Sequence, residues 1–296
     1  MTEQTENLPA ILAESRIIPQ QAQTDAQLID LWLHGRSHHT QRAYAADVKR
    51  FLKQVNLSLH QITLGDIQGF ADQLELRGLS DASRCRKLAA IKSLLSFGHR
   101  IGYLPFDVGK PVKVPAVRDT LNERILTEIE VQRMLALENH PRNHAILFLL
   151  YAAGLRVSEL CGLRWRDCTA RNTGGQISVM GKRGKTRRIL LPQTVWNAIV
   201  SLQGVSKDDD PIFPSRKGGF LSPCQVWRIV KRAAKNAGIN SATSCHWLRH
   251  CHCSHALDRG APISLVQATA GHSSVATTGK YLHARPTDSS AHYLPI

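Results

Sequence analysis

Cys245-His246-Trp247-Leu248-Arg249-His250 opens a pattern that continues with Gly271-His272-Ser273 and ends at Tyr281. Far upstream stand Gly154-Leu155-Arg156-Val157-Ser158-Glu159 and a basic turn, Gly181-Lys182-Arg183-Gly184-Lys185. Together they supply two arginines, a lysine, two histidines and a tyrosine, the set that phosphoryl transfer without metal or nucleotide needs. A phenol can attack a phosphodiester and later leave it, so the bond energy is kept in a covalent intermediate. Guanidinium forks suit the non-bridging oxygens of a crowded, negatively charged phosphorane. Each fragment alone means little, and the weight lies in the ordered set.

That ordered set resembles the tyrosine recombinase (phage integrase) family, and within it the short Xer-like members. The resemblance spans residues 24–285 and implies a role for each position. Tyr281, nine residues after His272, matches the nucleophile, which would form a 3′-phosphotyrosyl link to DNA. Among the other four tyrosines, Tyr293 is the rival; Tyr44 and Tyr151 sit in apolar periodic surroundings and Tyr103 in a proline-broken stretch. Arg156 and Arg249 match the phosphate clamp, each charged and able to offer two parallel donors. Lys182 matches the general acid that protonates the leaving 5′-oxygen, with Lys185 as its competitor. His246 would accept the tyrosine proton or hold the phosphate, and His272 would donate to a non-bridging oxygen. Glu159 is expected to orient Arg156, and His250 to support the site. The chain departs from the family at Cys245, where proline is common, and at Thr269-Ala270, where Leu-Leu is common.

Composition points the same way. The 296 residues carry 38 Lys and Arg against 23 Asp and Glu, a formal charge of +15, which marks a polyanion partner, nucleic acid before membrane. The longest apolar run, residues 145–155, is too short to span a bilayer. Residues 1–23 show no export signal, so a cytoplasmic location is expected. Seven scattered cysteines then read as reduced thiols used as small apolar side chains. The Cys/His run from Cys245 to His255 superficially resembles a metal site. Neighbours along one helix diverge, however, and no second Cys/His group closes a tetrahedron, so neither metal nor cofactor is expected.

Apolar spacing and capping residues divide the chain. Thr24 caps a first helix with Leu28, Leu31 and Trp32 inward, and Thr40 caps a second carrying Tyr44, Val48, Phe51, Leu52 and Val55. A third spans residues 64–76 and stops at Gly78. Ser80 or Asp81 opens a fourth, with Leu88, Ile91, Leu94 and Leu95 inward. Its other face carries Arg84, Arg86 and Lys87, candidates for a DNA groove or backbone contact, as is Lys185 in the basic turn. Residues 102–126, broken by Pro105, Pro111 and Pro115, read as a linker. Thr127-Glu128-Ile129-Glu130 is a capping box that opens a second domain. Further helices run to about Tyr151 and from Val157 to about Leu163. Short strands at 176–180 and 187–191 flank the basic turn, and helices open at Ser222-Pro223, near His246 and at Pro262.

The expected fold is mainly α with a small antiparallel β-sheet. In detail, a flexible start (1–23) precedes a helical, SAM-like core-binding domain (24–101), a linker (102–126), a catalytic tyrosine-recombinase domain (127–285) and a tail (286–296). The resemblance implies site-specific cleavage and rejoining of double-stranded DNA by a tetramer on two sites, with a paralogous recombinase as an open partner. Chromosome or plasmid dimer resolution and mobile-element integration fit equally. The rivals are a type IB topoisomerase-like enzyme, which reseals the same strand, and a DNA-binding regulator without chemistry. A chain this basic should lose on the order of 10³-fold or more in affinity for duplex DNA between roughly 50 and 200 mM salt. Fluorescence anisotropy measures it, and a flat salt response would count against the polyanion reading.

Overall fold

Four helices form where a cap precedes apolar residues at helical spacing, in a unit that ends at Arg118. The structure, a computed structural model, describes residues 21–116, 118–181 and 184–282. Thr24 caps α1 (Asp25–Leu33) by accepting from the Gln27 amide; Leu28 and Trp32 are buried, whereas Leu31 is turned outward. α2 (His38–Val55) starts earlier than predicted because Ser37, not Thr40, is the cap: its hydroxyl accepts from the Thr40 amide. α3 (Leu64–Leu76) opens on a Thr63/Asp66 capping box and closes before Gly78, whose φ of +68° is left-handed. α4 (Asp81–Arg100) lays Leu88, Ile91, Leu94 and Leu95 into a core shared with Phe51 and Phe70, which meet edge to face at 5.1 Å.

Two expectations for this unit need correction. Residues 102–126 are not a linker over their length. Tyr103, Leu104, Val108 and Val112 are buried in the helical core, whereas Leu121, Ile125 and Leu126 pack with the second unit, which starts at Asp119. The prolines forbid a helix, but the apolar residues between them still find cover. Nor is the α4 cluster a free basic face. Buried Asp47 on α2 receives Arg86 and, at 2.7 Å, Lys87, while Arg84 pairs with Glu75 (2.5 Å) and Asp81 (2.9 Å). Lys87 itself is buried, so its ammonium is committed inside the unit.

The second unit is built around α6 (Pro141–Ala152), with Ala145, Ile146, Leu147, Leu149 and Leu150 all buried. The Thr127/Glu130 capping box opens α5 (Glu128–Ala136), and α7 (Val157–Cys161) follows α6 after a turn. An antiparallel sheet of order β1-β2-β3 then forms from Cys168–Ala170, Gly175–Met180 and Thr186–Leu191. Ile177 pairs with Ile189 and Val179 with Arg187. β1 is only three residues long, too short for an alternation to be read from sequence. α8 (Gln193–Val200) packs against α6, and a Cβ at Gly175 of β2 would sit 2.0 Å from its Trp196 ring, so only glycine allows that contact. α9 (Pro223–Asn236), α10 (Cys245–Asp258), α11 (Ile263–Ala270) and α12 (Val275–Gly279) complete the unit. α10 packs against α6 and is buried on nearly every side, with the Cys251 and Cys253 thiols fully enclosed. The mainly α fold with its small antiparallel sheet is thus as expected.

Removing Asp47 would leave the Lys87 ammonium buried without a counter-charge. Asp47→Ala should therefore cost about 3–5 kcal/mol, and Asp47→Ala combined with Lys87→Met should recover most of it. Urea unfolding of the full chain measures both; equal loss in the single and double variants would show that the pair does not govern stability.

Candidate active site

Gly154 turns the chain between α6 and α7 with φ +57°, and a Cβ there would lie 2.6 Å from the His252 ring. This close turn sets Arg156 at the N-terminus of α7. The Arg156 backbone N–H donates to Glu159 Oε2 (2.8 Å) and its guanidinium to Glu159 Oε1 (2.8 Å) and to the Gly271 carbonyl (3.0 Å). Arg249, on α10, is only 1% exposed; it donates to the carbonyls of Gly154 and Ala270. Gly271 closes α11 in the left-handed region at φ +65° and hands the chain to His272. Arg156 and Arg249 therefore reach one cleft from different elements and are pinned to the same turn.

The cleft has a volume of about 350 Å³ and is lined by Arg124, Arg156, His246, Arg249, His272 and Tyr281, among others. Tyr281 is 4% exposed, and its hydroxyl lies 2.7 Å from His250 Nδ1. The Tyr281 ring stacks parallel to His272 at 6.3 Å, and His272 Nδ1 bonds the Thr278 hydroxyl at 2.9 Å. His246 packs edge-on against His250, with centroids 4.2 Å apart. Thus His250, expected only as support, is the imidazole bonded to the phenol, one turn along α10 from His246.

Charge and burial set the protonation states. Burial pushes the Tyr281 phenol well above its ordinary range, with the Cys253 thiol adding to the effect. Burial, then His246, takes His250 down to about 3; burial, then Arg249 and Arg156, takes His272 down to about 4. His246 is lowered for the same reasons. Burial alone would raise Glu159, but bonds from Arg187 and Arg156 outweigh it and bring the carboxyl down to about 2. The site therefore combines fixed cations with neutral imidazoles and a neutral phenol.

Arg156, Glu159, His246, Arg249, His250, His272 and Tyr281 are thus brought together. Lys182 and Tyr293 lie outside the described residues. Lys185 is exposed beyond the turn, its carbonyl accepting from the Gly181 amide at 2.8 Å. Among the described residues no group of three or more His, Cys, Asp or Glu side chains is placed to hold a metal ion. Cys251 is spent on contacts to the backbone of Leu126, where His255 Nε2 also donates to the carbonyl at 2.9 Å.

Arg187 was not singled out in the sequence. It stands on β3 and donates to both carboxylate oxygens of Glu159 (2.9 and 2.8 Å) and to the Thr269 carbonyl (2.8 Å). A signal was available: Arg187 shares the strand alternation of buried Ile189 and Leu191, so it is an inward-facing charge in need of a partner. Arg124, also at the cleft, carried no such signal.

Known proteins share both units. The phage integrase family matches residues 124–288, and the phage integrase N-terminal SAM-like domain matches residues 27–101. The tyrosine recombinase XerC of Thermodesulfovibrio yellowstonii is 31% identical over 84% of this chain and 87% of its own length. The tyrosine recombinase XerD of Shewanella oneidensis is 30% identical over 88% of this chain and 91% of its own. The crystal structure of a lambda integrase tetramer bound to a Holliday junction matches with a TM-score of 0.71 at 17% identity, covering 89% of this chain and 78% of that one. The chain belongs to the phage integrase family of tyrosine recombinases, enzymes that cleave and rejoin DNA. Within it, the chain is similar to the Xer-type site-specific recombinases.

The buried imidazoles give the protein a definite acid response. Folded, His250 titrates at about 3, and His252 (lowered mainly by burial) and His272 at about 4. Unfolded, each would bind a proton near pH ~6.5. The unfolded chain thus holds more protons below that pH, so this stability is fully present above ~6.5 and is lost as pH falls toward 4. Glu159, held at about 2 against an ordinary 4.5, adds to the loss only at the acid end of that window, where the unfolded chain begins to protonate it. Melting temperature should fall steadily from neutral pH to mildly acid pH; an unchanged transition would contradict the neutral, buried state of these histidines.

Proposed function

We propose that Tyr281 cleaves one DNA strand at a specific site, forming a 3′-phosphotyrosyl bond and releasing a 5′-hydroxyl. The 5′-hydroxyl of a partner strand then attacks that bond, rejoins the DNA and returns the phenol. One observation carries this reading: the Tyr281 hydroxyl, bonded to a histidine, borders the cleft that Arg156 and Arg249 also line. The two guanidiniums hold the non-bridging oxygens, and His272 donates to one of them. The phenolic proton passes to His250, whose Nδ1 is already 2.7 Å away, with His246 beside it at the cleft. Lys182 of the Gly-Lys turn protonates the leaving 5′-oxygen, and Lys185 contacts backbone phosphate. Charge neutralisation is assigned to these side chains, without metal or nucleotide.

The helical unit is the core-binding domain, in which the fold corresponds to the SAM-like region of the family. With Arg84, Arg86 and Lys87 held in ion pairs, we assign phosphate contact there to Lys49, Arg50 and Lys53 on α2, with Arg77, which together line one cleft. We propose that the chain acts as a tetramer on two double-stranded sites; a lambda integrase of the same fold is a tetramer on a Holliday junction. Similarity to XerC and XerD alike leaves room for a paralogous partner; dimer resolution with chromosome partition, and mobile-element integration, are the settings that strand exchange of this kind would serve. Among the described residues no helix is long and apolar enough to cross a membrane; the cytoplasm is proposed as the site of action because the substrate is DNA.

Tyr281→Phe removes one oxygen and keeps the ring, so DNA binding should persist while the covalent complex on a nicked suicide substrate disappears. Arg156→Ala and Arg249→Ala should each slow cleavage by on the order of 10²–10³-fold, the usual loss of a preorganised donor. Denaturing gels of the trapped complex give both answers. Were the complex to survive in Tyr281→Phe and vanish in Tyr293→Phe, the nucleophile would be Tyr293.

A further inference from the structure

Three consecutive carbonyls end α11, and three different arginines bind them. Arg187 takes Thr269, Arg249 takes Ala270 and Arg156 takes Gly271. The last carbonyls of a helix have no partner within it and form the negative end of its dipole. The turn before His272 is therefore an anchor for cations. Glu159 supplies the other anchor, shared between Arg156 and Arg187.

The three arginines are not equivalent. Arg156 remains 41% exposed while pinned through two nitrogens, so part of its guanidinium can face a phosphate. Arg187 is only 14% exposed, and all three of its side-chain nitrogens are engaged inward. It also packs so closely on Gly271 that a Cβ there would lie 3.1 Å from its guanidinium. Arg187 therefore ties β3, which follows the Gly-Lys turn, to α7 and to the turn carrying His272.

We propose that Arg187 is a positioning residue for strand cleavage: through Glu159 and the end of α11 it fixes Arg156 and His272 in the geometry that receives the phosphate. Without it, Glu159 has a single arginine partner and can draw the Arg156 guanidinium out of the cleft. The Thr269 carbonyl loses its donor at the same time, and the His272 turn loosens. This inference rests on Arg156 being a phosphate-binding residue.

Cleavage rates at saturating DNA, measured with nicked suicide substrates, test it in Arg187→Ala and Arg187→Lys, with Arg156→Ala as reference. Two substrates are compared: one with an ordinary scissile phosphodiester, one with a methylphosphonate that lacks the negative charge. Arg187→Ala should cleave the phosphodiester on the order of 10–100-fold more slowly with little change in DNA affinity. That loss should shrink on the methylphosphonate, as the loss in Arg156→Ala should, because a neutral phosphorus centre needs the clamp less. Arg187→Lys keeps a charge beside Glu159 and protects the fold, yet one ammonium cannot serve both carboxylate oxygens and Thr269 together. It should show a smaller loss with the same dependence on substrate charge. A normal rate in Arg187→Lys and Arg187→Ala, or equal losses on both substrates, would overturn the proposal. If instead Arg156→Ala cleaves normally, the active-site reading itself fails.

Discussion

The buried carboxylate of Glu159 is the constraint around which the catalytic unit is arranged. It accepts from the Arg156 backbone, from the Arg156 guanidinium and from two nitrogens of Arg187. Removing a charge from water costs several kcal/mol unless it is paired and its lone pairs are filled, and here both conditions are met. The neighbouring architecture follows. α7 must start at Arg156, Gly154 must make the tight turn before it, and β3 must point a charged side chain inward. The excess of arginine over carboxylate is partly balanced by the last carbonyls of α11, which are partial charges fixed in place. What stays unbalanced is net positive and borders the cleft, the state that a phosphodiester can neutralise.

The same economy governs α10. A helix buried on nearly all sides needs small or apolar residues wherever it does not need function, and it carries Cys245, Leu248, Cys251, Cys253 and Ser254 among its buried positions. Its buried polar residues are each given a partner. His255 joins Tyr151 (2.9 Å) to the Leu126 carbonyl, His250 joins Tyr281, and Arg249 joins the turns at Gly154 and Ala270. The cysteine-rich run that superficially suggests metal is thus a packing solution, and it brings three site residues to the cleft from one rigid rod.

Much of this was legible in the sequence because it rested on local rules. Thr24 and Thr127 cap helices where a hydroxyl precedes an apolar period, and two strands run on either side of the Gly-Lys stretch. The clustering of Arg156, His246, Arg249, His272 and Tyr281 followed from an ordered motif. What sequence hid was pairing between distant residues. Nothing near Lys87 announces Asp47, forty positions away, so a basic face looked free. Nothing in the proline-rich stretch announces that Tyr103 will donate to Asp25 at 2.7 Å. The second helix was expected to open at Thr40, but the hydroxyl of Ser37, three residues earlier, makes the cap. The alternation with Ile189 and Leu191 marked Arg187 as inward-facing, but not its partner Glu159, twenty-eight positions away.

The resting chemistry of the nucleophile follows from the same electrostatics. A buried phenol with a raised pKa, bonded to an imidazole that holds a proton only at strongly acid pH, is a poor nucleophile by itself. Burial drives both shifts; the cations around the cleft lower His250 further, whereas Arg249 works against the rise at Tyr281. A phosphodiester entering between Arg156 and Arg249 brings negative charge into this poorly solvated space. It offsets the repulsion that Arg249 and Arg124 exert on His250 and favours the protonated imidazole. The phenolic proton then gains an acceptor at the moment when the phosphorus lies within reach. In the proposed reaction the substrate's own charge therefore completes the base, and the free protein, lacking that charge, keeps Tyr281 protonated.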